Sequence, residues 1–228
     1  MNENTPEPNK KESGLAYFIL GLLAFAGLGL EALLAFFIEP VLYRSPMAQW
    51  GLRQYICHWV LTCLIWGIVV VALACQSRNR YGFNLLPRSS EKAHISLLQW
   101  LGIVGCVIFT AVISFLSWDG FKIAIEFERL GYLQFLFQYM YYLFEAALFS
   151  LVIVFTQKAG ELWFKAANVP WGSVVVALTW GLAHALSKGT LLIGILAALG
   201  GFLYGIVYVL TGKNLKIAFP IIFIMFVI

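Results

Sequence analysis

Charge is scarce in this sequence: Asp, Glu, Lys and Arg make up 11% of 228 residues, while 61% are hydrophobic and the mean hydropathy is +0.86. Soluble domains carry roughly 25% charged residues. So low a share excludes an ordinary soluble globule, which must cover itself with polar groups, and suits a surface that faces lipid. Cysteine is scarce as well. Cys57, Cys63, Cys75 and Cys106 lie in or beside apolar runs, with no CxxC spacing and only His58 nearby. They read as packing residues, which excludes a disulfide framework and a cysteine metal site, and no metal or cofactor is expected. Internal repeats and low-complexity stretches are also lacking. The formal net charge of +4 is better explained by a bias between the two membrane faces than by an anionic partner, and nucleic acid is not an expected partner.

Long hydrophobic runs, in contrast, are abundant. Crossing about 30 Å of hydrocarbon takes roughly 20 helical residues. Six runs have about that length: Leu15–Phe37, Cys57–Cys75, Ile95–Ser117, Leu133–Thr156, Trp171–Leu186 and Leu191–Leu210. A seventh, Ile217–Ile228, would rise only about 18 Å, so it is expected to start earlier or to stop inside the membrane. The expected fold class is therefore all-α, a polytopic membrane bundle of about seven transmembrane helices. Residues 1–14 read as a disordered cytoplasmic tail and 15–228 as one transmembrane domain. The first run is too long for a signal-peptide core and has no small-residue cleavage site before Glu39, so it is kept as a mature helix.

Orientation follows from Lys and Arg in the connections. With the tail inside, the inner face holds Lys10, Lys11, Arg78, Arg80, Arg88, Lys92, Lys158, Lys165, Lys213 and Lys216, and the outer face Arg44, Arg53, Lys122, Arg129 and Lys188. This bias predicts a multi-pass protein of the cell membrane with a cytoplasmic N-terminus. The outer connection from Trp118 to Tyr132 is also the most acidic.

Ionisable residues at membrane depth cost several kcal/mol unless paired or hydrated, so each is a candidate site. Glu31 lies about 24 Å along the first helix and His58 opens the next, both near the outer interface. Contact with headgroup water and a Glu31–His58 pair are both compatible with that depth. Glu145 lies about 18 Å from the outer start of its helix and His184 about 19 Å from the inner start of its own, so both are deep. Such a pair either shares a structural hydrogen bond or forms a catalytic or ligand-binding site. Tyr139, Tyr141 and Tyr142 lie just before Glu145, and Tyr204 and Tyr208 fall four apart on the sixth helix; these hydroxyls line the same polar cavity or serve as packing or interfacial anchors.

At this point the residues resemble the CAAX-protease and bacteriocin-processing (CPBP, or Abi) family of intramembrane glutamate proteases. Phe144-Glu145-Ala146-Ala147-Leu148-Phe149-Ser150 resembles its E-E-x-x-F-R stretch, with Ala146 for the second Glu and Ser150 for the Arg. Trp180-Gly181-Leu182-Ala183-His184 resembles its FGLAH form. Gly201, Tyr204, Gly205, Tyr208, the Thr211-Gly212-Lys213 turn and Pro220 resemble the glycine-rich helix and the turn after it. The family's third motif, HxxxN or HxxxD, would fall near Ile224 and Ile228, where every residue from Ile217 to Ile228 is apolar. The resemblance covers about residues 133–228.

By this resemblance Glu145 would activate water and His184 would orient it, the pair forming the catalytic set, with Ser150, Trp180, Tyr204 and Tyr208 as cavity-lining candidates. Oxyanion donors typically account for 10²–10³-fold each, so an apolar third motif costs several kcal/mol of transition-state stabilisation. One His and one carboxylate also fall short of the three protein ligands of a catalytic zinc. The leading expectation is a catalytically impaired relative that binds a peptide, helix or lipid-like ligand within the membrane, its partners being the bilayer and a membrane-associated peptide or protein. Two alternatives stay open: an active CAAX-type endopeptidase with a substitute donor, and a proton-coupled transporter subunit.

Overall fold

The computed structural model describes residues 13–86 and 95–228. The expected tail lies outside the described residues except for Ser13 and Gly14, and Gly14 already opens the first helix. Lys10, Lys11, Arg88 and Lys92 of the charge bias also lie outside them.

Among the described residues, apart from a 3-10 turn at Met47–Gln49, seven helices follow in order: α1 (Gly14–Tyr43), α2 (Leu52–Tyr81), α3 (Leu97–Trp118), α4 (Lys122–Phe164), α5 (171–188), α6 (Leu191–Leu210) and α7 (Leu215–Val227). The described residues contain no strand. Five helices, α1 to α4 and α6, are long and apolar enough to cross a membrane, which makes this a multi-pass helical bundle. Helix α5 rises about 27 Å and α7 about 20 Å. The last helix does start earlier than its apolar run, at Leu215, where the Asn214 side chain accepts the Lys216 N–H at 3.0 Å and caps it.

The connections define two ends of the bundle. Ser13 and the segments after α2, α4 and α6 lie at one end, here the near end. The segments after α1, α3 and α5 lie at the far end. Polar signals at the helix ends make these turns. Ser96 and Gln99 form a reciprocal capping box on α3, with Ser96 N–H donating to Gln99 Oε1 at 2.8 Å. Gly82, at φ 67°, closes α2, and the Phe83 N–H reaches back to the Ser77 carbonyl at 3.1 Å.

Helix α4 is the axis of the fold. Residues 148–157 are buried on every face, as expected of a helix enclosed by others, and α1, α2 and α5 pack around it. Helix α6 packs across α5, and α7 packs against both α4 and α6. Helix α3 is peripheral. Only Ile103 and Thr110 of its side chains are buried, while Leu97, Leu101, Ile108, Val112 and Leu116 face outward, as lipid contact requires.

Small residues allow α5 and α6 to approach closely, the usual device where no hydrophobic effect drives association in lipid. A Cβ on Gly181 would strike the backbone of Ala198, and one on Gly205 would strike Ser173. Gly172 abuts the Ile153 carbonyl of α4 in the same way. At the near end Gln157 ties α4 to the start of α5, donating to the Val169 carbonyl at 2.9 Å and accepting the Gly172 N–H at 3.1 Å. Lys213 and Glu161 pair there at 2.9 Å.

Candidate intramembrane site

Glu145 projects from α4 toward α5 with 9% of its surface exposed. Its Oε1 accepts the indole N–H of Trp180 at 3.0 Å. One turn further along α5, the His184 ring lies against the Trp180 ring at 4.6 Å, and its Nδ1 is 2.8 Å from the Trp180 carbonyl. Nδ1 therefore donates in that contact, since a carbonyl oxygen can only accept. Glu145 and His184 thus join one site through Trp180, with no hydrogen bond between them. A local widening of α5 accompanies this: residues 177–181 form a π turn that contains Trp180. Such turns are frequent at functional sites.

A second π turn, Leu34–Ile38, interrupts α1 and organises an adjoining cluster. In an uninterrupted α-helix, residues eight apart differ by about 80° in direction; the extra residue of a π turn makes the step behave like seven and brings them within about 20°. Glu31 and Glu39 therefore share a face two turns apart. His58 of α2 reaches both, with Nδ1 at 2.5 Å from Glu39 Oε2 and Nε2 at 3.7 Å from Glu31 Oε1. His58 and Glu39 are fully buried, so the reading of His58 as a residue in headgroup water gives way to the paired one, and Glu39 is its nearer partner. The Glu31–His58 pair stands as the second expectation had it.

The two clusters adjoin. Tyr141 of α4 stands in the fields of both Glu31 and Glu145, and Glu31 in turn acts on both Glu145 and His184. Lys122 and Lys188 supply the nearest positive charges to Glu145. The Lys122 ammonium donates to the Phe226 carbonyl at 2.9 Å and lies 4.9 Å from the Tyr142 ring. Among the described residues, no three His, Cys, Asp or Glu side chains are placed to share one metal ion.

The remaining candidates divide. Trp180 and Tyr204 belong to the Glu145 surroundings, with Tyr204 stacked on Phe149 at 5.4 Å and 6.0 Å from Trp180. Tyr208 is buried two residues short of the near end of α6, where the acid acting on it is Glu161. Ser150 is buried on another side of α4, lining a groove shared with α2 and α7. Where the third motif would stand, α7 brings Phe226 against Trp180 at 5.7 Å and Phe149 at 5.3 Å, while Ile224 is half exposed.

Two buried groups escaped the sequence reading. Glu39 precedes Pro40 and looked like a helix end, and only the π turn makes α1 continue through it. Glu126 was counted in an outer loop, yet residues from Lys122 onward form a helix that folds back at Gly131. There Glu126 accepts from Gln138 at 3.0 Å, Tyr139 at 3.0 Å and Tyr142 at 2.8 Å. Compared with known protein families, curated proteins and solved structures, the chain finds no match.

Proposed function

We propose that this chain is a degenerate relative of the CPBP intramembrane proteases, resident in the cell membrane with its near end cytoplasmic. In this reading it binds a membrane-associated peptide, helix or lipid-like ligand at Glu145 and His184 without efficient cleavage. The observation that carries the proposal is the pairing of Glu145 with the Trp180 indole beneath Phe226. A carboxylate and an imidazole are held on facing helices, as ligand recognition needs, yet the carboxylate's donor is already engaged and apolar α7 supplies no group for an oxyanion. Stabilising that oxyanion is commonly the largest electrostatic contribution to acyl-transfer catalysis. Lys122 and Lys188 add positive charge to the site, which suits a ligand bearing a carboxylate or another anion.

The test is a fluorescent farnesylated CAAX-type peptide titrated into the protein reconstituted in liposomes. Saturable binding is expected, weakened about ten-fold by Glu145→Gln, which corresponds to loss of about one charge-assisted hydrogen bond. Product formation is expected at the same background level in both proteins. A second reading, an active peptidase, draws on Tyr204, whose hydroxyl stands in the Glu145 field. Cleavage that Glu145→Gln abolishes and Tyr204→Phe reduces would establish that reading and overturn the first.

A further inference from the structure

One cavity of the bundle lies away from Glu145. It is a groove of about 440 Å³ between α2, α4 and α7 at the near end, within the roughly 300–1,000 Å³ of small-molecule sites. Its origin is local. The Gly82 turn that ends α2 sends the chain back along the helix, so Leu85 and Leu86 form a wall opposite Phe219 and Pro220 of α7. Asn84 steadies this wall by accepting the Leu86 N–H at 3.2 Å. The inner surface is aliphatic, with Val70, Ala74, Ala147 and Leu151 among its residues.

Two features of this groove point to a ligand. First, its mouth carries two exposed cations, Arg78 from the last turn of α2 and Lys216 from the first turn of α7. Second, the Ser150 hydroxyl, 1% exposed, is buried without a hydrogen-bond partner while its residue lines the groove. A buried hydroxyl without a partner costs about 1–3 kcal/mol unless something else satisfies it. An apolar slot with a positive rim at a membrane interface complements one kind of molecule, an amphiphile with a hydrocarbon tail and an anionic head.

We propose that this groove holds an anionic phospholipid of the surrounding bilayer, with an acyl chain between α2 and α7, its ester oxygens toward Ser150 and its phosphate between Arg78 and Lys216. The site lies on another side of α4 from Glu145, so it stands independently of the functional reading above. Basic side chains at a membrane surface favour anionic lipid by about five-fold each, or on the order of 25-fold for the pair.

Native mass spectrometry of the purified full-length protein, delipidated and then titrated with phosphatidylglycerol or phosphatidylcholine of the same chains, tests this. One or more tightly retained phosphatidylglycerol molecules are expected, with preference over phosphatidylcholine lost in Arg78→Gln/Lys216→Gln. Ala147→Leu, which fills the groove while leaving both cations, should release phosphatidylglycerol, and Glu145→Gln should leave it bound. Equal retention of the two lipids, or a preference that survives the double substitution, overturns the proposal. So does competition by inorganic phosphate alone, which would show a headgroup site that makes no use of the apolar slot.

Discussion

At Glu145 a single indole N–H separates a satisfied carboxylate from a costly one. Trp180→Phe keeps the ring against Phe149 and His184 and removes the donor. Hydrogen bonds to charged groups contribute about 1.5–3 kcal/mol, so a loss of that order is expected in thermal unfolding of the detergent-solubilised protein. An unchanged midpoint would mean that the Glu145–Trp180 bond carries nothing. His58 is a sharper case, because Glu39 is fully buried beside it. Removing one partner of a buried pair leaves the other charge uncompensated, at about 3–5 kcal/mol, whereas replacing both is far milder. His58→Ala should therefore be severely destabilising, and His58→Ala/Glu39→Gln should recover much of the loss. If the double variant is worse than the single, the two side chains are not a coupled pair. Depth along a helix made Glu145 and His184 visible in the sequence. Glu39 stayed hidden because its partner is chosen by the direction in which α1 points it, and a π turn sets that direction.

Among the elements, the glycines carry the strongest constraints. Gly181 and Ala198 hold α5 and α6 at backbone contact. Gly181→Ala should push the helices apart at about 1–3 kcal/mol, and it should disturb peptide binding at Glu145 as well, since Trp180 is the neighbouring residue. Retention of both stability and binding would show that α5 can shift without cost. Gly131, at φ 70° and ψ 168°, is the hinge on which residues 122–130 fold back onto the rest of α4. That backbone region is essentially closed to residues with a Cβ, so Gly131→Ala should cost about 1–3 kcal/mol. Tryptic cleavage at the exposed Arg129 should accelerate with it, because the Glu126 hydrogen bonds to Gln138, Tyr139 and Tyr142 hold that segment down. Unchanged cleavage would place the restraint elsewhere. Run length and bounding charge placed α3 and α6 closely, but stopped short of the far end of α1 and of both ends of α2, where polar residues continue the helices beyond their apolar runs. They missed the fold-back at Gly131, because the short helix that starts at Lys122 has four acidic or basic residues among its first eight and looked like a loop.

The bundle as a whole makes a statement about sidedness. Labelling with a membrane-impermeant thiol reagent in intact cells, on a cysteine-free background, should modify Asp119→Cys and spare Asn168→Cys, since these positions lie at opposite ends of the bundle. The reverse pattern would invert the proposed orientation and place Lys122 and Lys188 on the cytoplasmic side. Composition by itself determined that this chain lies in lipid and that it does so as helices, because a backbone in hydrocarbon must bond to itself and a span needs a set number of apolar residues. The apolar runs also marked two of the ionisable groups that would be expensive, Glu145 and His184, though not Glu39 or Glu126. Only the tertiary structure decided what each one meets. Ser150 turned out to face a separate groove, Phe226 rather than Ile224 came to lie over Trp180, and His58 found Glu39. These outcomes depend on the rotation and tilt of each helix, which π turns, glycine contacts and the fold-back at Gly131 set together, and which no run of apolar residues records.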